Sequence, residues 1–246
     1  MTNWDNSTIS FILQTGKWMK AKEPEDFLPE GISLIRKLTG AYTTLQIIFE
    51  DERTARIKNA MPLFLDDFIF DPAPIKSFLE ANDFEPVYWK NITEQNHLFS
   101  DILLALSSAV LIPVVSNNHY RLIIIGWSEP QSFNSTFQNF IVVVKNRLEE
   151  LLQNVELYHT LYKNNDRYKA IFQGLPQAIV FIDDKEEAGW VNTKAAELLQ
   201  LAKEDSYEPG IVAAAMSELR NKTLLVSCTP ISTKEINGKL WIFEER

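Results

Sequence analysis

Between Thr8 and Met19, and again between Pro29 and Leu38, apolar side chains return at helical spacing: Ile9 and Leu13 in the first segment, Ile32, Ile35 and Leu38 in the second. Two helices are expected, the second closed by Gly40. The run Tyr42-Thr43-Thr44-Leu45-Gln46-Ile47-Ile48-Phe49-Glu50 then has the β-branched and aromatic content of a strand, halted by Asp51-Glu52-Arg53. Beyond it Pro62, Pro72, Pro74 and Pro86 cut the chain into short apolar pieces such as Phe64-Leu65 and Phe68-Ile69-Phe70. Here the pattern predicts a helix over 73–82, a strand at Val87-Tyr88-Trp89 and a helix over 94–104.

The segments Ala109–Val115 and Tyr120–Trp127 are nearly continuous apolar runs separated by Ser116-Asn117-Asn118-His119, the pattern of an antiparallel hairpin. Pro113 has no amide to donate, so it belongs on an unpaired side of its strand or at a bulge. From Phe137 a seam steps by fours and threes through Ile141, Val144, Leu148, Leu151, Val155, Tyr158 and Tyr162. Such a heptad seam predicts a long helix with a partner helix along it, and no Gly or Pro interrupts the chain before Gln173. Only Asn164-Asn165-Asp166 weakens the helical pattern. Tyr158 and Tyr162 are bulkier than the aliphatic residues that two-stranded seams favour.

After Gly174-Leu175-Pro176 the pattern changes to a strand at Ala178–Ile182, an acidic turn Asp183–Glu187 and a short strand Gly189-Trp190-Val191. Asn192 is placed to cap a helix over 193–201 with an apolar stripe of Ala195, Leu198 and Leu199. A last pair of strands, Leu224–Ile231 and Lys239–Phe243, is turned by Ile236-Asn237-Gly238.

Composition narrows the function classes. The chain has 246 residues, 46% of them hydrophobic and 23% charged, enough to bury two cores without staples. Its 24 basic residues against 33 acidic ones give a net charge of −9 without any Lys/Arg run, so nucleic acid and anionic membrane surfaces are excluded as expected partners. A single cysteine excludes an internal disulfide, and the N-terminus lacks the cationic start and apolar run of a signal peptide, so a cytoplasmic location is expected. The most apolar stretch, Ile102–Val115, is shorter than the roughly 20 residues of a spanning helix.

The order of elements up to the exit helix, with the segment SSAVLIPVVSNNHYRLIIIGW at its centre, resembles a GAF domain. The segment YKAIFQGLPQAIVFIDDKEEAGWVNTKAAELLQL is similar to the start of a PAS domain, and VSCTPISTKEINGKLWIFEE to its last two strands, with Thr229-Pro230 and Gly238 in place. Between these two pieces the chain is too short for the usual PAS helices and a full middle strand. The resemblance implies an α+β fold of two mixed antiparallel-sheet domains: a GAF-like domain over 1–136, a connecting helix over 137–173 and an abbreviated PAS-like domain over 174–246. It also implies a sensory module of the kind found in sensor histidine kinases, with a small-molecule or protein signal and dimerisation through connecting helices.

Candidate chemistry is sparse. His97, His119 and His159 lack metal-site spacing, and His159 lacks the neighbours of a phosphoacceptor histidine, so a solvated or interhelical role is expected. Cys228, in a strand alternating with Leu224 and Val226, is expected to be a small core hydrophobe with an inert thiol rather than a chromophore anchor. No haem, flavin or bilin signature and no glycine-rich phosphate loop is present. The pairs Asp66-Asp67 and Asp183-Asp184 are adjacent and so diverge on a strand, which favours turns over acid–base work. Tyr88, Trp89 and Trp127, with Arg121 or Gln46, are pocket-lining or plain core. The expectation is a non-catalytic sensory module, homodimeric along Ile141, Val144, Leu148, Leu151, Val155, Tyr158 and Tyr162, acting on a downstream effector. A dimerisation scaffold without a small-molecule ligand is the alternative. An enzyme with its site in the Pro-rich middle of the first domain is a further rival.

Overall fold

The computed structural model describes residues 4–92, 106–117, 119–184, 188–202, 204, 206–219, 224–233 and 237–245. The helix expected over 94–104 lies outside them. The chain forms two compact units, residues 1–159 and 160–246.

In the first unit a helix α1 (Trp4–Thr15), a 3-10 turn over Gly16–Lys20 and a helix α2 (Leu28–Thr39) precede the sheet. α2 ends at Gly40, whose φ of 64° lies in the left-handed region that glycine adopts without strain. The first strands are β1 (Thr43–Phe49), β2 (Ala55–Met61) and the two-residue β3 (Ile69–Phe70). Helix α3 (Ala73–Ala81) and strands β4 (Val87–Trp89), β5 (Ser108–Ser116) and β6 (His119–Trp127) follow. All six strands pair antiparallel in the order β3-β2-β1-β6-β5-β4.

Both faces of this sheet are buried, which explains why β5 and β6 read as unbroken apolar runs. Val110, Ile112, Val114, Ile123 and Ile125 join Phe11, Ile32 and Ile35 in a core on one face. Leu45, Ile47, Leu111, Leu122 and Ile124 join Ile75 and Leu79 of α3 on the other. Pro113 sits opposite Leu122 of β6, and β4 pairs only with Ala109, Val110 and Leu111. The β4 side of the strand at Pro113 therefore has no ladder partner among the described residues, the tolerated place for a residue without an amide.

Strand β2 escaped the sequence pattern. Only Ala55, Ile57 and Ala60 of ARIKNAM are buried, and Arg56 and Lys58 hold the alternate positions.

Helix α4 (Ser135–Gly174) is a single 40-residue helix that Asn164-Asn165-Asp166 does not interrupt. In the second unit, strands β7 (Ala178–Asp183) and β8 (Ala188–Val191), helices α5 (Thr193–Leu199) and α6 (Pro209–Glu218), and strands β9 (Leu224–Ser232) and β10 (Asn237–Glu245) follow in order. Their antiparallel sheet has the order β8-β7-β10-β9. Asn237 and Gly238, expected in the turn, already belong to β10. A side chain at Gly238 would place its Cβ 2.1 Å from the Ile182 carbonyl oxygen, so the close pairing of β10 with β7 requires glycine there.

α6 was missed because Ala-rich PGIVAAAMSE carries no apolar stripe; Pro209 in its first turn was the available signal. It packs near α5 and β8, and Tyr207 bridges Gly189 through paired backbone hydrogen bonds of 2.8 Å.

Candidate functional site

α4 is where the fold concentrates its unusual features, and two kinds of side chain succeed one another along it. Over the first turns Phe137, Phe140, Ile141, Val144, Leu148, Leu151, Leu152 and Val155 are buried in the core of the first unit. Trp4 of α1 packs edge-on against Phe137 at 4.7 Å and stacks on Phe140 at 5.5 Å.

This corrects the expected partner seam. Ile141, Val144, Leu148, Leu151 and Val155 pack within their own chain against α1, α2 and the sheet, so they are closed to a second helix. The four-three spacing arose because a helix lying along a sheet and two helices needs the same periodic stripe as one lying on a partner. Tyr158 and Tyr162 are exposed.

Polar contacts fix the same part of the helix. Glu149 accepts from the Val115 amide at 3.0 Å, and Glu156, one heptad later, accepts from the Asn117 side chain. Arg147 donates to Thr15 Oγ1 at 3.1 Å. His159 Nε2 lies 2.9 Å from the Lys22 carbonyl and 3.1 Å from Glu23 Oε1, so the proton on Nε2 serves two acceptors. His159 is thus half-exposed, and its contacts hold α4 against the connecting segment at Lys22 and Glu23 and not against a second helix.

The later turns carry large apolar side chains in water: Leu157, Leu161, Tyr168 and Ile171 are all exposed, with Leu175 just beyond the helix. These four and Asn164 fall at steps of four, three, four and three. A second heptad stripe therefore begins where the core-facing one ends, one residue displaced from Tyr158 and Tyr162. Sequence reading passed over it because the buried stripe runs directly into those two tyrosines at unbroken spacing.

The other candidates separate. Tyr88 packs against Phe133 and Phe137 on one sheet face, while Trp89 packs against Phe78 on the other, so the two aromatics do not share a pocket. Burial, with Glu85 nearby, pushes the Tyr88 phenol up to about 12. Trp127 is buried, and its indole donates to the Thr39 carbonyl.

Gln46 accepts from Asn59 at 3.0 Å. Its Nε2, Ser116 Oγ and Arg121 Nη1 have no hydrogen-bond partner among the described residues. Arg121 is pulled below its ordinary value by burial, opposed by Glu25 and Glu156. Gln46 and Arg121 share a sheet face at diagonal register positions, with Gln46 engaged by Asn59 and Arg121 in the field of the two glutamates.

Asp66 accepts from the Ala60 amide, and Asp67, held below the usual carboxylate range by its hydrogen bond from Lys58, also faces Arg56. These are turn and ion-pair roles.

Cys228 is exposed, a correction to its expected place in the core. β9 is an edge strand, and α5 and α6 pack over β7 and β8 at the other side of the sheet, so nothing among the described residues covers it. An open depression of about 420 Å³ beside Lys90 and Phe133, and a groove of about 500 Å³ between α5 and α6, each offer one ionisable side chain, Lys90 and Glu218 respectively. No described helix is long and apolar enough to cross a membrane.

No protein-family model matches the chain, and no curated protein matches it. Solved structures do. The GAF domain of an Acinetobacter phosphoenolpyruvate-protein phosphotransferase is 13% identical with a TM-score of 0.51, covering 65% of this chain and 98% of that one. The phycoerythrobilin-bound GAF domain of a cyanobacterial phytochrome is 10% identical with a TM-score of 0.50, over 65% and 99%. The Escherichia coli DhaR(N)–DhaL complex matches at 10% identity and a TM-score of 0.51, over 97% of this chain and 90% of that one. The chain thus contains a GAF-like fold with mixed helices and antiparallel strands.

Proposed function

We propose that this chain is a non-catalytic sensory or regulatory module whose GAF-like unit and abbreviated PAS-like unit communicate with an effector, such as a histidine kinase, through a dimer of α4. One observation carries the reading: a single helix is built into the core of the first unit at one end and exposes a fresh heptad stripe at the other. A helix so anchored must rotate or shift when the packing around Phe137–Val155 changes, and a partner helix on the exposed stripe would convert that shift into a change of register or crossing. GAF domains occur in sensory proteins, and the order β8-β7-β10-β9 supports the PAS-like reading of the second unit.

The seam of this dimer is Leu157, Leu161, Asn164, Tyr168 and Ile171. Asn164 in its middle is a buried-seam polar position of the kind that selects one pairing of the two copies over its alternatives. Light scattering on the whole chain tests the reading. The wild type has twice the chain mass, and Leu161→Asp with Ile171→Asp gives a folded monomer. A monomer throughout the accessible concentration range defeats it.

The scaffold alternative, with no small-molecule ligand, is favoured by the dense packing of both faces of the six-stranded sheet. A rise in melting temperature with any nucleotide, tetrapyrrole or flavin would decide against it.

A further inference from the structure

The segment between Met61 and Ile69 lies along the β2–β3 edge of the first unit's sheet and holds its largest side chains in solvent. Phe64 is 82% exposed and Leu63 71%, and Met61, Phe68 and Ile69 are also exposed. Five such side chains present on the order of 500 Å² of apolar surface, the size at which exposed patches mark interaction sites.

The backbone beneath them is tied down. Asp66 accepts from the Ala60 amide at 3.1 Å, the Asp67 amide donates to the Ile57 carbonyl at 2.9 Å, and the Ile57 amide donates to the Phe68 carbonyl at 2.9 Å. Lys58 pairs with Asp67. A loop fixed in this way loses little conformational freedom on binding.

We propose that this edge docks a partner protein through an apolar groove rimmed by basic side chains. Shape argues for a groove, because Leu63 and Phe64 protrude from a turn and a second copy of the same protruding turn offers them no concavity. Charge argues for the basic rim. Around the patch stand Glu50, Asp66, Asp67 and Asp71 against Arg56 and Lys58, and both cations are already paired with Glu50 or Asp67. The excess of carboxylate repels an anionic lipid surface and attracts a cationic protein rim. The surface is independent of the helical seam and stands whether or not α4 dimerises.

The test places a photoreactive benzoylphenylalanine at Phe64 of the whole chain in its native cells, with Lys37, an exposed position of α2, as the control. The expected result is one cross-linked protein from position 64 and not from 37. Once purified, that protein binds the wild type, binds Phe64→Ser at least tenfold more weakly with its melting temperature unchanged within about 2 °C, and loses affinity as salt rises. The proposal is overturned by adducts common to both positions, by an adduct with lipid or with a second copy of this chain, by no adduct, or by equal binding of Phe64→Ser.

Discussion

Asn192 shows how much one side chain can settle. Fully buried, it accepts from the amides of Ile179 and Ala195, each at 2.9 Å, and donates to the carbonyls of Gln177 and Leu175. It caps α5 and joins that helix to the start of β7. Removing it strands several backbone groups, each costing about 1–3 kcal/mol, so Asn192→Ala should speed hydrogen exchange at Ile179 and Ala195 by at least tenfold while exchange within β1 and β6 is unchanged.

Tyr88 gives a pH prediction. Its pKa rises from 10.0 to about 12 on folding, through burial first and Glu85 second. Between those values the folded state holds a proton that the unfolded state has lost, so stability falls as pH rises through that window. Denaturant melts of Tyr88→Phe should lack this component of the alkaline loss. Asn192 was legible as a cap from its position before an apolar stripe. The burial of Tyr88 was not, because it depends on Phe133 and Phe137, distant in sequence.

At the scale of elements, α4 divides the predictions. Leu148 and Leu151 are almost wholly buried, and a carboxylate at either position is an unpaired charge in an apolar core. Leu148→Asp with Leu151→Asp should therefore unfold the first unit by more than about 4 kcal/mol, seen as loss of near-UV circular dichroism, rather than yield a folded monomer. Leu161→Asp, on the exposed turns, should leave that signal intact.

Periodicity located the helix correctly but could not say which stripe met which neighbour, since a core and a partner demand the same spacing. The hairpin of β5 and β6 was legible for the opposite reason. Its partners are adjacent in sequence, and its double burial leaves no polar alternation to confuse. β2 and α6 were obscured because tertiary context, not local apolar pattern, holds them in place: β2 between β1 and β3, and α6 near α5 and β8.

For the whole molecule, a GAF-like fold was legible in the order of elements and in one central hairpin, although the GAF domains compared above are only 10% and 13% identical to the chain. Candidate chemistry was sparse in the sequence, and the described structure adds packing and ion pairs in its place. The account therefore rests on α4 as the coupling element. Cysteines placed singly from Leu157 to Ile171 in a Cys228→Ser background, and oxidised gently, report its partner directly. The account predicts disulfide-linked dimers peaking at 157, 161, 164, 168 and 171, with minima at 159 and 166. Peaks at 158 and 162 instead, or no periodic cross-linking at any concentration, would contradict it.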